Sequence, residues 1–155
     1  MRCVYLFFIF CILFLMAASC VYCEQGAPPA SPKPSEQGKP YTSVIIDASG
    51  LALDRCMSPK IRRGNGSEVW GTVNVDIDYV EEHGIVGYVR TIDEAMKCDR
   101  CGSNPLILRA IARAGGAFNS DPVISDADAD LMLDENRISK FLDKFNVIFI
   151  KDGQL

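Results

Sequence analysis

The stretch Asn104-Pro-Leu-Ile-Leu-Arg-Ala-Ile-Ala-Arg-Ala-Gly-Gly116 decides the fold, because it obeys the rules of two structures at once. Asn104 suits a helix cap, Pro105 suits the first helical position, and Gly115-Gly116 would stop a helix, so local propensity reads helix. Leu106, Leu108, Ala110 and Ala112, however, alternate with Ile107, Arg109, Ile111 and Arg113, which is the period of a strand. Such a strand would pair with residues 122–125 (PVIS) across the loop 115–121 (GGAFNSD). Periodicity alone leaves both readings open.

The flanking segments are plainer. Residues 41–51 (YTSVIIDASGL) hold the β-branched run Val44-Ile45-Ile46, ended by Asp47 and Gly50, and read as a buried strand and turn. Gly64-Asn65-Gly66 sits between two short extended segments and has the chemistry of a hairpin, since these residues tolerate positive φ. Residues 76–84 (DIDYVEEHG) place Ile77, Val80 and Glu81 at helical spacing, with Gly84 as a stop. Residues 84–91 return to strand character, and residues 92–98 (IDEAMKC) form a short helix. Ser125 with Asp128 makes a capping box in which Asp stands for Glu. Leu131, Ile138, Leu142 and Phe145 then share one face of a predicted helix, with Asp134, Arg137 and Lys144 elsewhere. Residues 146–152 (NVIFIKD) close the chain as a strand. The pattern predicts an α+β domain: a mostly antiparallel sheet with two or three helices packed on one face.

The first forty residues lie outside that domain. Arg2 precedes an uncharged run from Cys3 to Cys23 that ends in small residues, the three-part plan of a secretory signal over residues 1–19. The run is also long enough to be retained as a membrane anchor, for which about 20 apolar residues suffice. The order Met16-Ala17-Ala18-Ser19-Cys20 looks like the lipobox of bacterial lipoproteins, which makes Cys20 the lipidated residue of the cleaved chain. Ala17 departs from the Leu that such boxes prefer, and cleavage after Ser19 or Cys23 without lipid is the competing expectation. Residues 20–40 then form a disordered tether, because the proline-rich stretch 24–40 lacks the apolar surface to offset its ordering entropy. At ~3 Å per residue it holds the 41–155 domain some tens of ångströms from a membrane. The whole chain has 16 basic and 20 acidic residues. An acidic balance of this kind excludes nucleic acid as the expected partner, since phosphates need a basic face.

Across 41–155 the chain resembles a bacterial envelope domain found in lipoproteins of unassigned activity, and found also at the C-terminus of lipoproteins related to flagellar assembly. The pieces that carry the resemblance are 41–51, 57–61 (MSPKI), 66–71 (GSEVWG), 83–90 (HGIVGYVR), 104–110 (NPLILRA) and 123–129 (VISDADA), in the family's order. The resemblance implies an envelope location and a strand over the contested stretch. It implies no activity, cofactor or catalytic residue. Cys56, Cys98 and Cys101 depart from the family's pattern, so thiol chemistry belongs to this chain alone.

Cys98-Asp-Arg-Cys101 is the sharpest chemical motif, open to a redox dithiol, half a zinc site or a structural disulfide. A redox pair belongs at the start of a helix, where the dipole favours a thiolate, yet this pair follows a short helix. Zinc needs about two more ligands, and Cys56, His83 and Cys23 offer no recognisable spacing. In an oxidising compartment a disulfide drawn from Cys98, Cys101, Cys56 and Cys23 is the default. The acids Asp126, Asp128 and Asp130 suggest calcium, but an EF-hand loop starting at Asp126 needs Gly and Glu where Leu131 and Arg137 stand. Asp47 and Gly50 read as turn builders rather than a phosphate loop. His83 reads as a surface imidazole with no nucleophile to serve, and Trp70 as sheet packing. Asn65-Gly66-Ser67 fits a glycosylation acceptor, relevant only to a eukaryotic chain.

No convergent acid, base and nucleophile set emerges, and neither cofactor nor metal is expected. The expected function is a non-catalytic interaction or structural module of the bacterial envelope, held on the membrane through a lipid anchor. Its partners are other envelope proteins, with the flagellar or surface apparatus as the company the resemblance suggests. The alternative is an exported thiol–disulfide protein acting through Cys98 and Cys101.

Overall fold

Val44, Ile45 and Ile46 are fully buried, and the strand they form, β1 (Ser43–Asp47), has a hydrogen-bonded neighbour on each side. The computed structural model describes residues 38–71, 78 and 84–153. Strand β2 (Ile61–Arg63), β3 (Glu68–Trp70) and β4 (Gly87–Val89) follow, then helix α1 (Ile92–Lys97), β5 (Pro105–Arg109), β6 (Ala112–Arg113), β7 (Pro122–Ile124), helix α2 (Asp126–Ser139) and β8 (Val147–Ile150). The strands build one four-stranded sheet of order β4-β8-β1-β5 and a second of order β3-β2-β7-β6. The chain is therefore α+β, with two α-helices among the described residues.

The contested stretch is strand, and it serves both sheets. Pro105–Arg109 lies parallel to β1, with Ile107 in register with Ile45. The chain then crosses over: Ala110 N–H donates to Asp47 O at 2.8 Å and Ile111 N–H to Val123 O at 2.8 Å. Ala112–Arg113 pairs antiparallel with β7. The expected pairing with 122–125 thus holds for the last residues of the stretch only, because its first half is taken by β1.

The expectation of a mostly antiparallel sheet is corrected. β1–β5, β1–β8 and β4–β8 all run parallel, and the second sheet is mixed, with β2–β7 parallel and β2–β3 and β6–β7 antiparallel. The physical reason lies in burial. A parallel strand covered on both faces carries an unbroken apolar run, as Val147-Ile-Phe-Ile150 does. On one face, Val44, Ile46, Leu106, Leu108, Val147 and Phe149 pack with Ala129 and Met132 of α2. On the other, Ile45 and Ile148 pack with Ala95 of α1 and with Cys101. The helices therefore cover opposite faces of the parallel sheet, where one face was expected.

The termini of the elements follow local rules. Gly66 has φ +84°, and Ser67 N–H donates to Asn65 Oδ1 at 2.9 Å, so 64–66 forms the predicted turn between β2 and β3. Ser125 Oγ accepts from Asp128 N–H at 3.1 Å, the predicted cap of α2. The helix stops at Ser139, with Lys140 in the left-handed region at φ +59°. Leu142 and Phe145 consequently leave the predicted helical face, and Ile138 is 73% exposed. The short helix expected over 76–84 lies outside the described residues, apart from Asp78 and Gly84.

Asp121 is the one acid buried among the described residues, and its partners explain it. It accepts from Lys60 N–H at 2.9 Å and from Arg62 Nε at 2.8 Å, which ties the loop before β7 to β2. The Arg62 guanidinium also stands 4.4 Å over the Phe118 ring. A satisfied carboxylate of this kind fixes how the two strands meet.

Candidate functional site

The predicted cysteines divide. Cys20 and Cys23 lie outside the described residues. Cys56 is held from the face of the sheet that carries Tyr88: its N–H donates to the Tyr88 hydroxyl at 3.1 Å, and that hydroxyl donates to Cys56 O at 2.9 Å. Cys98 Sγ instead lies on the opposite face, 3.6 Å from where a side chain on Gly87 would begin. Because successive strand residues point to opposite faces, the sheet separates Cys56 from Cys98 and Cys101. The structure brings the C-x-x-C pair together and leaves Cys56 apart.

The pair occupies a turn that closes α1. Cys98 is the helix C-cap, and Cys101 N–H donates to Cys98 O at 2.9 Å. A turn of this type keeps its first and last Cα atoms within about 7 Å, which overlaps the span of a disulfide. The turn is also a junction. Arg100 donates to Phe145 O at 2.9 Å and to Gly84 O at 3.0 Å. Thr42 and Ser43 hydroxyls both donate to Cys101 O. Gly102 has φ +65°, and a Cβ there would stand 2.6 Å from Thr42 Oγ1, so only glycine fits. Burial pushes the Cys101 thiol up; neighbouring Cys98 adds to that, while the Ser43 hydroxyl opposes it. All three described cysteines are free thiols in this structure.

The opposite end of α1 borders a cleft of about 330 Å³. Three isoleucines, Ile92, Ile107 and Ile150, make its apolar wall, and Asp47, Ser49, Arg90 and Thr91 bring polar groups to it. Asp47 ends β1, Ile150 ends β8, and Arg90 follows β4, so the cleft lies at the carboxyl ends of parallel strands, the usual place for a ligand in such sheets. Asp47 Oδ1 accepts from Ser49 N–H at 3.0 Å and from Ser49 Oγ at 2.6 Å, which forms the turn predicted for it. Ile92 is 39% exposed at this end of α1, whereas Met96, one turn on, lies with its sulfur 3.9 Å from Cys101 Sγ at the junction end. Sequence reasoning missed Arg90, Ser49 and Thr91. Parallel pairing, not local pattern, assembles them.

The remaining motif residues have structural duties. Asp130 pairs with Arg63 at 2.7 Å, and Asp128 belongs to the cap, so the acids at the start of α2 are explained without calcium. Trp70 packs against the main core, 6.4 Å from the Phe145 ring. His83 lies outside the described residues, and those described contain no cluster of three metal-ligating side chains. None of the described helices is long and apolar enough to cross a membrane.

A doubly covered parallel sheet joined to a small mixed sheet, with a C-x-x-C junction at one pole and a cleft at the other, defines an α+β domain. The chain belongs to the family described as the second domain of Treponema pallidum Tp0624, whose model matches residues 43–153. No curated protein matches the chain.

Proposed function

We propose that the protein is an exported lipoprotein of the bacterial cell envelope whose domain is a non-catalytic binding module. Cys20 carries the lipid, and residues 20–40 are the tether. The observation that carries this reading is the polarity of the domain. Asn104 Nδ2 donates to Lys39 O at 3.1 Å and to Pro40 O at 3.3 Å, so the tether joins beside the amino ends of β1 and β5. Every strand of the parallel sheet then runs away from that point, which puts the cleft and the exposed Ile92 at the far pole, about 17 Å along a five-residue strand. A module hung from a membrane by one end presents the other end to partners. Envelope proteins, with the flagellar or surface apparatus among them, are the expected partners.

In that compartment Cys98 and Cys101 form a structural disulfide, each thiol giving up a proton and an electron to the compartment's disulfide-exchange system. A bridge across so short a loop adds roughly 2 kcal/mol. The thiol-enzyme alternative finds less support. Cys101 is fully buried with its thiol pushed up, and the pair stands at the end of α1 opposite to the one that favours a thiolate.

Labelling cells with radioactive palmitate tests the anchor: label is expected in the wild type and absent from Cys20→Ser, and equal label in both removes the anchor. Alkylation of protein isolated without reductant, followed by peptide mass mapping, tests the bridge. Cys56 alone is expected to react among the described cysteines. Free thiols at both Cys98 and Cys101 would remove it.

A further inference from the structure

The geometry points to a binding site for a free aliphatic α-amino acid in the cleft at the carboxyl ends of β1, β4 and β8, with Asp47 taking its ammonium, Arg90 its carboxylate, and the isoleucine wall its side chain. The inference deepens the binding-module reading and needs no lipid at Cys20.

Four observations carry it. The cleft's volume of about 330 Å³ is that of a small-molecule site rather than a macromolecular groove. Ile92, Ile107 and Ile150 give it an aliphatic wall, and no aromatic platform lines it. Asp47 spends Oδ1 on Ser49 and keeps Oδ2 without a partner among the described residues. Arg90 lines the same cleft, and its guanidinium makes no ion pair or hydrogen bond among the described residues, although its backbone N–H is held by Glu94 Oε2 at 2.8 Å. A carboxylate and a guanidinium that share a cleft yet form no pair with each other are placed for a ligand that carries the complementary charges.

The neighbouring charges leave that division intact. Glu94 is occupied by Arg90 N–H, and Asp152 accepts from Gly50 N–H. Arg109, the register partner of Asp47 on β5, forms no ion pair with it. Thr91 Oγ1 accepts from Glu94 N–H at 3.2 Å, so its own proton is available to a ligand carboxylate. A molecule with one charge engages only one of the two groups and forgoes the charge-assisted hydrogen bonds that the other offers.

Calorimetric titration of the full-length chain in mild detergent tests the site with three probes: L-leucine, leucinamide, which lacks the carboxylate, and 4-methylpentanoate, which lacks the ammonium. L-Leucine is expected to bind with a dissociation constant below about 1 mM. Each analogue should bind roughly tenfold or more weakly, the worth of a hydrogen bond to a charged group. Arg90→Gln should weaken leucine by a similar factor and leave leucinamide unchanged. Asp47→Asn, in which the amide oxygen still accepts from Ser49, should weaken leucine and leave 4-methylpentanoate unchanged. Thermal melts establish that both variants fold, and the solvent-facing Arg90 substitution carries the test if the other does not. The proposal falls if L-leucine shows no saturable binding up to about 10 mM, if leucinamide matches it, or if Arg90→Gln leaves its affinity untouched. Protein carrying Cys20→Ser serves equally well, so a failed palmitate experiment leaves this result standing.

Discussion

Tyr88 shows how one side chain can join two parts of the chain. Its hydroxyl both donates to and accepts from the backbone of Cys56, and its ring meets Phe149 edge-on at 5.8 Å. Burial pushes its phenol from the ordinary 10.0 up to about 12, with the Cys56 hydrogen bond and Arg55 opposing. The folded state thus favours the neutral phenol. Its contribution to stability is complete below pH 10 and is lost as pH rises from there towards 12. A tyrosinate absorbance titration should show one phenol ionising near pH 12, and Tyr88→Phe should abolish that step. The same substitution should cost about 1–2 kcal/mol in urea denaturation at pH 7, because Cys56 loses both partners. An unchanged alkaline titration in Tyr88→Phe would mean the hydroxyl is not held as described. Composition and spacing singled out Trp70 and passed over Tyr88, since a tyrosine's partner 32 residues away leaves no local mark.

Among the elements, α2 separates what local chemistry decides from what packing decides. Its start was legible in Ser125 and Asp128, because a cap is an interaction across three residues. Its end was not, because the left-handed stop falls on Lys140, a residue with no special tolerance for positive φ. The predicted apolar face aligns Ile138 with Leu142 and Phe145, which lie beyond that stop; without them on the helix, Ile138 is 73% exposed. Two substitutions measure the difference. Ser125→Ala should cost about 1 kcal/mol through the lost cap, with Ser125→Asn retaining most of it. Ile138→Ser should change stability by less than about 0.5 kcal/mol, as an exposed position does. A loss of about 2–4 kcal/mol from Ile138→Ser would place that side chain in a core after all.

For the whole molecule, strand identity was legible and strand direction was not. Val44-Ile45-Ile46 and Val147-Ile-Phe-Ile150 announce strands by composition, but their pairing spans about a hundred residues, and only their lack of alternation hinted at cover on both faces. That the C-x-x-C turn follows a helix is legible in the sequence, while its role as a junction depends on Thr42 and Ser43 reaching it from β1 and its neighbour, and on Arg100 reaching out to Phe145 O. Direction has a consequence for how the molecule opens. β1 and β8 are bonded on both sides and buried on both faces, whereas β4 and β5 are edges and β6 has two residues. Opening β6 uncovers little apolar surface, but freeing Ile45 or Phe149 uncovers the core. Amide exchange at Ile45, Ile46, Ile148 and Phe149 should therefore require global unfolding, and should be at least about a hundredfold slower than at Ala112 and Arg113. Guanidinium well below the unfolding midpoint should accelerate the first set steeply and the second barely, since only global opening exposes much surface. Equal protection of the two sets would mean that the small mixed sheet, and not the parallel one, unfolds last.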